Sequence, residues 1–205
     1  MKNIRVFAYT GLLAMAALLA GCSTEATQGA KQGAASGAAV GAVGGMVTAL
    51  VFGGDIADGA ARGAVWGGST GAASGAIQGE QVAKQKRSVE QQKKAKELEK
   101  LQKEIGTDAY RGLEALADCN HTVAKAYAET AQGNSKKNYA LAGYWLEIMT
   151  VAEMGNKKEA QSMLPELVKV DSKVKTTQQA NKLLGEVLVE LGQIREDNGM
   201  RRNCD

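Results

Sequence analysis

Three cysteines, Cys22, Cys119 and Cys204, and a single histidine, His121, carry most of the side-chain chemistry open to this chain of 205 residues. A thiol can be acylated, oxidised to a disulfide, or deprotonated to hold a metal. Cys119, His121 and Cys204 supply three zinc ligands where a closed structural site takes four. Other chemical machinery is missing from the pattern. There is no nucleophile motif, no phosphate loop behind a strand and no metal-ligand spacing. The chain therefore reads as non-enzymatic, with no catalytic residue, no metal and no cofactor.

The first residues set the fate of Cys22. Lys2 and Arg5 form a short basic region, and Val6 to Leu19 is an uncharged, mostly apolar run. That run is short for a membrane span of ~20 residues and suits a signal peptide. It ends in Leu19-Ala20-Gly21-Cys22, which resembles a bacterial lipobox. The resemblance implies cleavage after residue 21 and lipidation of the Cys22 thiol. Ser23, rather than an aspartate, comes after the cysteine, which implies the outer membrane as the address. Cys119 and Cys204 are then left as a pair in an oxidising compartment, where they are expected to form a disulfide.

Removing residues 1–21 leaves 184. It takes Lys2 and Arg5 from the 25 basic residues, so that 23 face 22 acidic ones. Such a balance argues against nucleic acid as a partner.

The segment behind Cys22 must carry the anchored thiol, and its composition is unusual. Gly29, Gly33, Gly37, Gly41 and Gly45 stand four apart. Gly59, Gly63, Gly67, Gly71, Gly75 and Gly79 keep the same step. Glycine costs a helix interior ~1 kcal/mol relative to alanine, so two such helices carry a penalty on the order of 10 kcal/mol. A stripe of glycine lets a neighbouring helix come close enough to offset it through dispersion contacts. Phe52-Gly53-Gly54-Asp55 is a turn signal between the two segments. Helix, tight turn, helix is expected over 29–79, behind a tether at 22–28. No charge occurs from Gln32 to Gly54, 23 residues, enough to cross a hydrocarbon core of ~30 Å. The second segment is uncharged only from Gly63 to Gly79 and is a marginal span alone. Trp66 would lie near an interface.

On these residues the chain resembles bacterial glycine-zipper envelope proteins, which carry a paired Gly-every-four hairpin, often behind a lipoprotein signal. The resemblance implies membrane association and self-assembly, so membrane lipid and further copies of the chain are the expected partners. No YMGG tetrapeptide occurs; the nearest string is VGGMV, Val43 to Val47.

Residues 80–106 change character at once. They are rich in helix formers, without glycine or proline before Gly106, and pair Glu90 with Lys94 and Glu99 with Lys103. A thin stripe of Val82, Val89, Leu98, Leu101 and Ile105 leaves two uses open, an exposed spacer or a pairing helix.

From residue 107 to 205 four helices are expected. One runs from Asp108 to Ala131. One is capped by Ser135 and runs to Met154, ending at Gly155. One starts near Lys157 and kinks or restarts at Pro165, the only proline. The last is capped by Thr176 with Gln179 and carries an apolar stripe from Ala180 to Ile194. Ala140 to Asp171 resembles a degenerate tetratricopeptide-type helix pair. Tyr139, Tyr144 and Trp145 are core residues or line a peptide groove. The fold class is all-α.

The leading expectation is an outer-membrane lipoprotein whose hairpin associates with the membrane and with itself. Its domain at 107–205 would face the periplasm and bind an envelope protein. A pilotin-like adaptor for a secretion or pilus component, and a pore-forming oligomer, are the alternatives.

Overall fold

The computed structural model describes positions 24–64, 96 and 99–204, with side chains from Gly37 onward. Cys22 and the signal at 1–21, Trp66, Gly67, Gly71, Gly75, Gly79 and the connector at 80–95 lie outside the described residues. Every element within them is a helix or a turn.

Helix α1, Thr24–Phe52, carries Gly29, Gly33, Gly37, Gly41 and Gly45. It ends where Gly53 takes φ 79°, a left-handed conformation that a side chain disfavours, and donates its N–H to Ala49 O at 2.9 Å. Asp55 then accepts a hydrogen bond from the N–H of Asp58 at 2.8 Å, capping α2, positions 56–64. The expected helix and turn are present, with the second helix described as far as position 64. α3, described over positions 99–105, comes next, with the expected Glu99–Lys103 pair at 2.8 Å.

The region after Gly106 holds five helices rather than four: α4 Thr107–Ala117, α5 His121–Gln132, α6 Lys137–Glu153, α7 Lys157–Val170 and α8 Thr177–Asp197. The single helix expected from Asp108 to Ala131 is broken. Cys119 takes φ 59°, its N–H bonds Leu116 O at 3.1 Å, and the Asn120 N–H bonds Ala115 O at 2.7 Å. That is a Schellman stop with cysteine where glycine is usual. Asn120 then caps α5 through the N–H of Val123. Ser135 does not cap α6; the N-cap is Lys136. Pro165 neither ends nor restarts α7, which runs through it with Ala160, Leu164 and Leu167 buried on both sides. Burial on either flank holds the turn that the proline weakens. Thr176 accepts from the Gln179 N–H at 3.1 Å as expected, and Gln179 reaches back to the Lys175 N–H at 2.9 Å.

The core is shared. One apolar cluster joins Val43, Met46, Val47, Leu50 and Val51 of α1 to Leu113 and Leu116 of α4, Trp145, Leu146 and Met149 of α6, and Val187 and Leu191 of α8. α1 packs against α4, α6 and α8. The five α1 side chains, at ~1.5–3 kcal/mol each when buried, outweigh the ~1 kcal/mol that each of six glycines costs that helix.

Candidate functional site

The glycine seam is built by backbone meeting backbone. A Cβ added at Gly45 or Gly63 would run into the carbonyl oxygen of Gly59 or Gly41, closer than any real Cβ approaches. One added at Gly59 would lie 2.6 Å from Gly45 O and 3.0 Å from Ala49 Cβ. Gly41 and Gly45 on α1 therefore face Gly59 and Gly63 on α2, antiparallel, inside one chain. The four-residue spacing does what the sequence implied, but here the neighbour is the other arm of the same hairpin. Gly44 points elsewhere. Its bare Cα receives the Leu101 side chain of α3, so the end of the connector lies on the hairpin. Ile105, from the same stripe, is fully buried.

A second row on α1 enters the helical domain. Ala39, Ala42, Val43, Met46 and Val47 have no exposed surface, and Leu50 and Val51 almost none. α2 covers one face of the end of α1, Leu101 another and α4, α6 and α8 a third, while Thr48, Ala49 and Phe52 keep some exposure. A helix apolar all round belongs in such a place. The helical domain also captures the helix end. Lys173 Nζ donates to Val51 O at 2.5 Å, and its aliphatic stem lies against Gly53. A lysine at a helix C-terminus satisfies an orphan carbonyl and complements the dipole. The Lys173 N–H in turn bonds Asp171, a buried carboxylate that also accepts from Trp145 Nε1 at 3.2 Å. Trp145 is thus a core residue rather than a groove lining. The same device closes α3. Tyr139 donates its hydroxyl to Lys103 O at 2.7 Å, and Asn138 Nδ2 bonds Glu104 O.

A cleft of about 310 Å³ opens beside the seam, lined by Gly41, Gly45, Gly59, Gly63, Arg62 and Lys100, among others. Phe52, about half exposed, stands at its edge.

The chemistry-bearing residues of the domain converge at a different point. Cys119 and Cys204 form a disulfide across 85 positions, Cα to Cα 5.4 Å. Beside it lies Arg195, fully buried. It donates Nη2 to Leu116 O at 2.7 Å and Nε to Ala117 O at 3.4 Å, closing the C-terminus of α4. Its Nη1 meets Glu153 Oε2 at 2.5 Å. The same oxygen lies 3.4 Å from Cys204 Sγ and 3.9 Å from His121 Nε2. His121 Nε2 is buried without a hydrogen-bond partner. His121, Glu153 and Cys204 place one ligand atom each within 4.8 Å of one another. They do not fit zinc: the Cys204 sulfur is bonded to Cys119, and the Glu153 carboxylate is engaged by a guanidinium. Glu153 and Arg195 carry no signal in the sequence, since nothing in their local spacing joins α6 to α8.

On α4, burial pushes the Tyr110 hydroxyl up to about 12, with the neighbouring Glu114 carboxylate adding to the shift. Burial also raises the Glu114 carboxyl above its ordinary range.

Residues 1–83 match the family model described as YMGG-like Gly-zipper. The match covers about two-fifths of the chain and includes the described seam. It is consistent with a glycine-zipper family and points to association with a membrane. No helix among the described residues is long and apolar enough to cross one. No curated protein and no solved structure matches the chain.

Proposed function

We propose that this is a non-enzymatic, lipid-anchored protein of the bacterial outer membrane. Its glycine-zipper hairpin works as a membrane-proximal structural element, and its helical domain presents a binding surface on the periplasmic side. The observation that carries the reading is the seam of Gly41 and Gly45 against Gly59 and Gly63, lying within the region that matches the zipper family. The lipobox at Cys22 supplies the anchor. The interior of the helical domain is a salt-bridged, disulfide-bonded knot around Arg195, Glu153 and Cys119–Cys204, which supports a role in holding and binding. The domain's partner is an envelope protein, and the adaptor reading differs from this one only in which.

Self-assembly takes an altered form. At positions 41–63 the glycines are already used within the hairpin. Contacts between copies must use the outer faces or Gly67, Gly71, Gly75 and Gly79. Cross-linking in the membrane beside a Gly71→Leu variant tests this, whereas Gly45→Leu would break the hairpin itself.

The test of the central reading is fractionation of cell envelopes. Wild type is expected with the outer membrane and carrying lipid on Cys22, and Cys22→Ser is expected to be released in large part. A wild-type protein recovered soluble and unlipidated would overturn it.

A further inference from the structure

We propose that reduction of the Cys119–Cys204 disulfide turns the knot at the C-terminal end of α4 into a tetrahedral zinc site, with Cys119, Cys204, His121 and Glu153 as its four ligands.

The cysteines and the histidine are three ligands where a closed zinc site takes four. The fold supplies the fourth by bringing in Glu153 from the end of α6. Glu153 Oε2 lies 3.4 Å from Cys204 Sγ and 3.9 Å from His121 Nε2. The three atoms fall within 4.8 Å of one another. Ligands about 2.0–2.3 Å from a tetrahedral zinc ion stand roughly 3.3–3.8 Å apart. Small movements separate the two arrangements. His121 is the telling group. Its Nε2 is buried without a hydrogen-bond partner, and 3.9 Å from the carboxylate is beyond hydrogen-bonding range. A buried nitrogen left unpaired is costly, and a neutral imidazole offers a metal the lone pair that nothing else here takes up.

The disulfide form cannot bind the ion, because its sulfurs are bonded to each other. Reduction takes two electrons and two protons from a dithiol, which leaves as its own disulfide. The freed thiols then give their protons to solvent as the ion binds. The turn that ends α4 fixes Cys119. Cys204 lies beyond α8 in a stretch without helix, and can shift as the sulfurs part. With Cα atoms 5.4 Å apart, both thiolates stay within reach of one ion. Charge balances in either state. Beside the disulfide, Glu153 and Arg195 neutralise each other. Beside zinc, two thiolates cancel the ion and the same pair persists, since a carboxylate has lone pairs for a guanidinium and a metal together. All four ligand residues are partly buried rather than sealed, which leaves the ion a way in.

Cobalt(II), a coloured stand-in for zinc, tests this on the full chain in detergent, oxidised or reduced with a phosphine. Reduced wild type is expected to bind one equivalent, with a thiolate-to-cobalt charge-transfer band and the intense visible bands of a tetrahedral site, and zinc should displace it. Oxidised protein should show neither band. Zinc should also recover part of the thermal midpoint that reduction costs, because it binds the folded form. His121→Gln keeps the disulfide and loses no hydrogen bond at Nε2, and is expected to weaken cobalt binding about tenfold or more. Reduced wild type without the charge-transfer band, folded or unfolded, overturns the proposal. Equal affinity in His121→Gln overturns it too, since neighbouring thiols alone would then account for the binding. So does equal binding by the oxidised protein, which would place the metal elsewhere.

Discussion

Arg195 is the residue on which the helical domain turns. Its guanidinium closes α4 and neutralises Glu153 with no exposure to water. A buried pair of this kind contributes less than its geometry implies, because both charges were removed from water. Breaking it by deleting one partner is costly nonetheless, on the order of 3–5 kcal/mol. Arg195→Met should lower the stability read from denaturant unfolding by that amount without changing the slope, and Arg195→Met with Glu153→Gln should recover part of the loss, since the orphaned carboxylate is gone. Glu114 gives a pH-dependent prediction. Its folded carboxyl is held above the ordinary value of 4.5 by burial. The folded state therefore binds that proton more tightly than the unfolded one. The stability this gives is full below the ordinary value and is lost as pH rises through the raised one. Glu114→Gln should be more stable than wild type at neutral pH and lose that advantage in acid, as denaturation across pH would record. Little of this is legible in the sequence. His121 and the two cysteines are visible as residue types, but Glu153 and Arg195 are 42 positions apart, and no local pattern joins them.

Elements are more readable where their signal is periodic. The four-residue step announces the seam, Gly53-Gly54-Asp55 announces its turn, and Thr176 with Gln179 announces α8. The break after α4 is hidden because its stop residue is a cysteine in a left-handed conformation, with no glycine or proline to mark it. Pro165 misleads for the opposite reason: a strong local breaker is outweighed by burial of Leu164 and Leu167 beside it. Two glycines separate packing from propensity. At Gly185 an added Cβ meets nothing within 4 Å, so Gly185→Ala should stabilise α8 by ~1 kcal/mol. At Gly63 it meets Gly41 O. Gly63→Ala should therefore lower the melting temperature despite its better propensity. Calorimetry on the pair decides whether propensity or close approach governs these helices. The same principle operates in the helical domain, where a Cβ at Gly143 would lie 2.7 Å from Ala128 O and 2.6 Å from Gln132 N. Small residues at helix contacts are thus not confined to the hairpin.

The whole molecule departs furthest from a reading by segments. Hairpin, connector end and helical domain are legible as separate regions of composition. Their common core is not, because an apolar row on α1 has the same sequence whether it meets lipid or protein. Lys173 to Val51 and Cys119 to Cys204 are among the long-range ties that hold the assembly. In the chain-entropy view a loop of 85 residues contributes ~4–5 kcal/mol. Reducing the disulfide, or replacing both cysteines with serine, should lower the thermal midpoint of the oxidised protein by more than about 10 °C. α8 should become the first segment open to protease. The seam has one further consequence, in what variation can explore. Where a side chain outgrows its pocket in an ordinary core, a smaller partner can restore the fit. Across Gly45 and Gly59 the obstacle is the chain's own carbonyl oxygen, which no codon changes. A library randomised at both positions together should hold no pairs of substitutions that rescue each other, and the two sites should tolerate or fail independently.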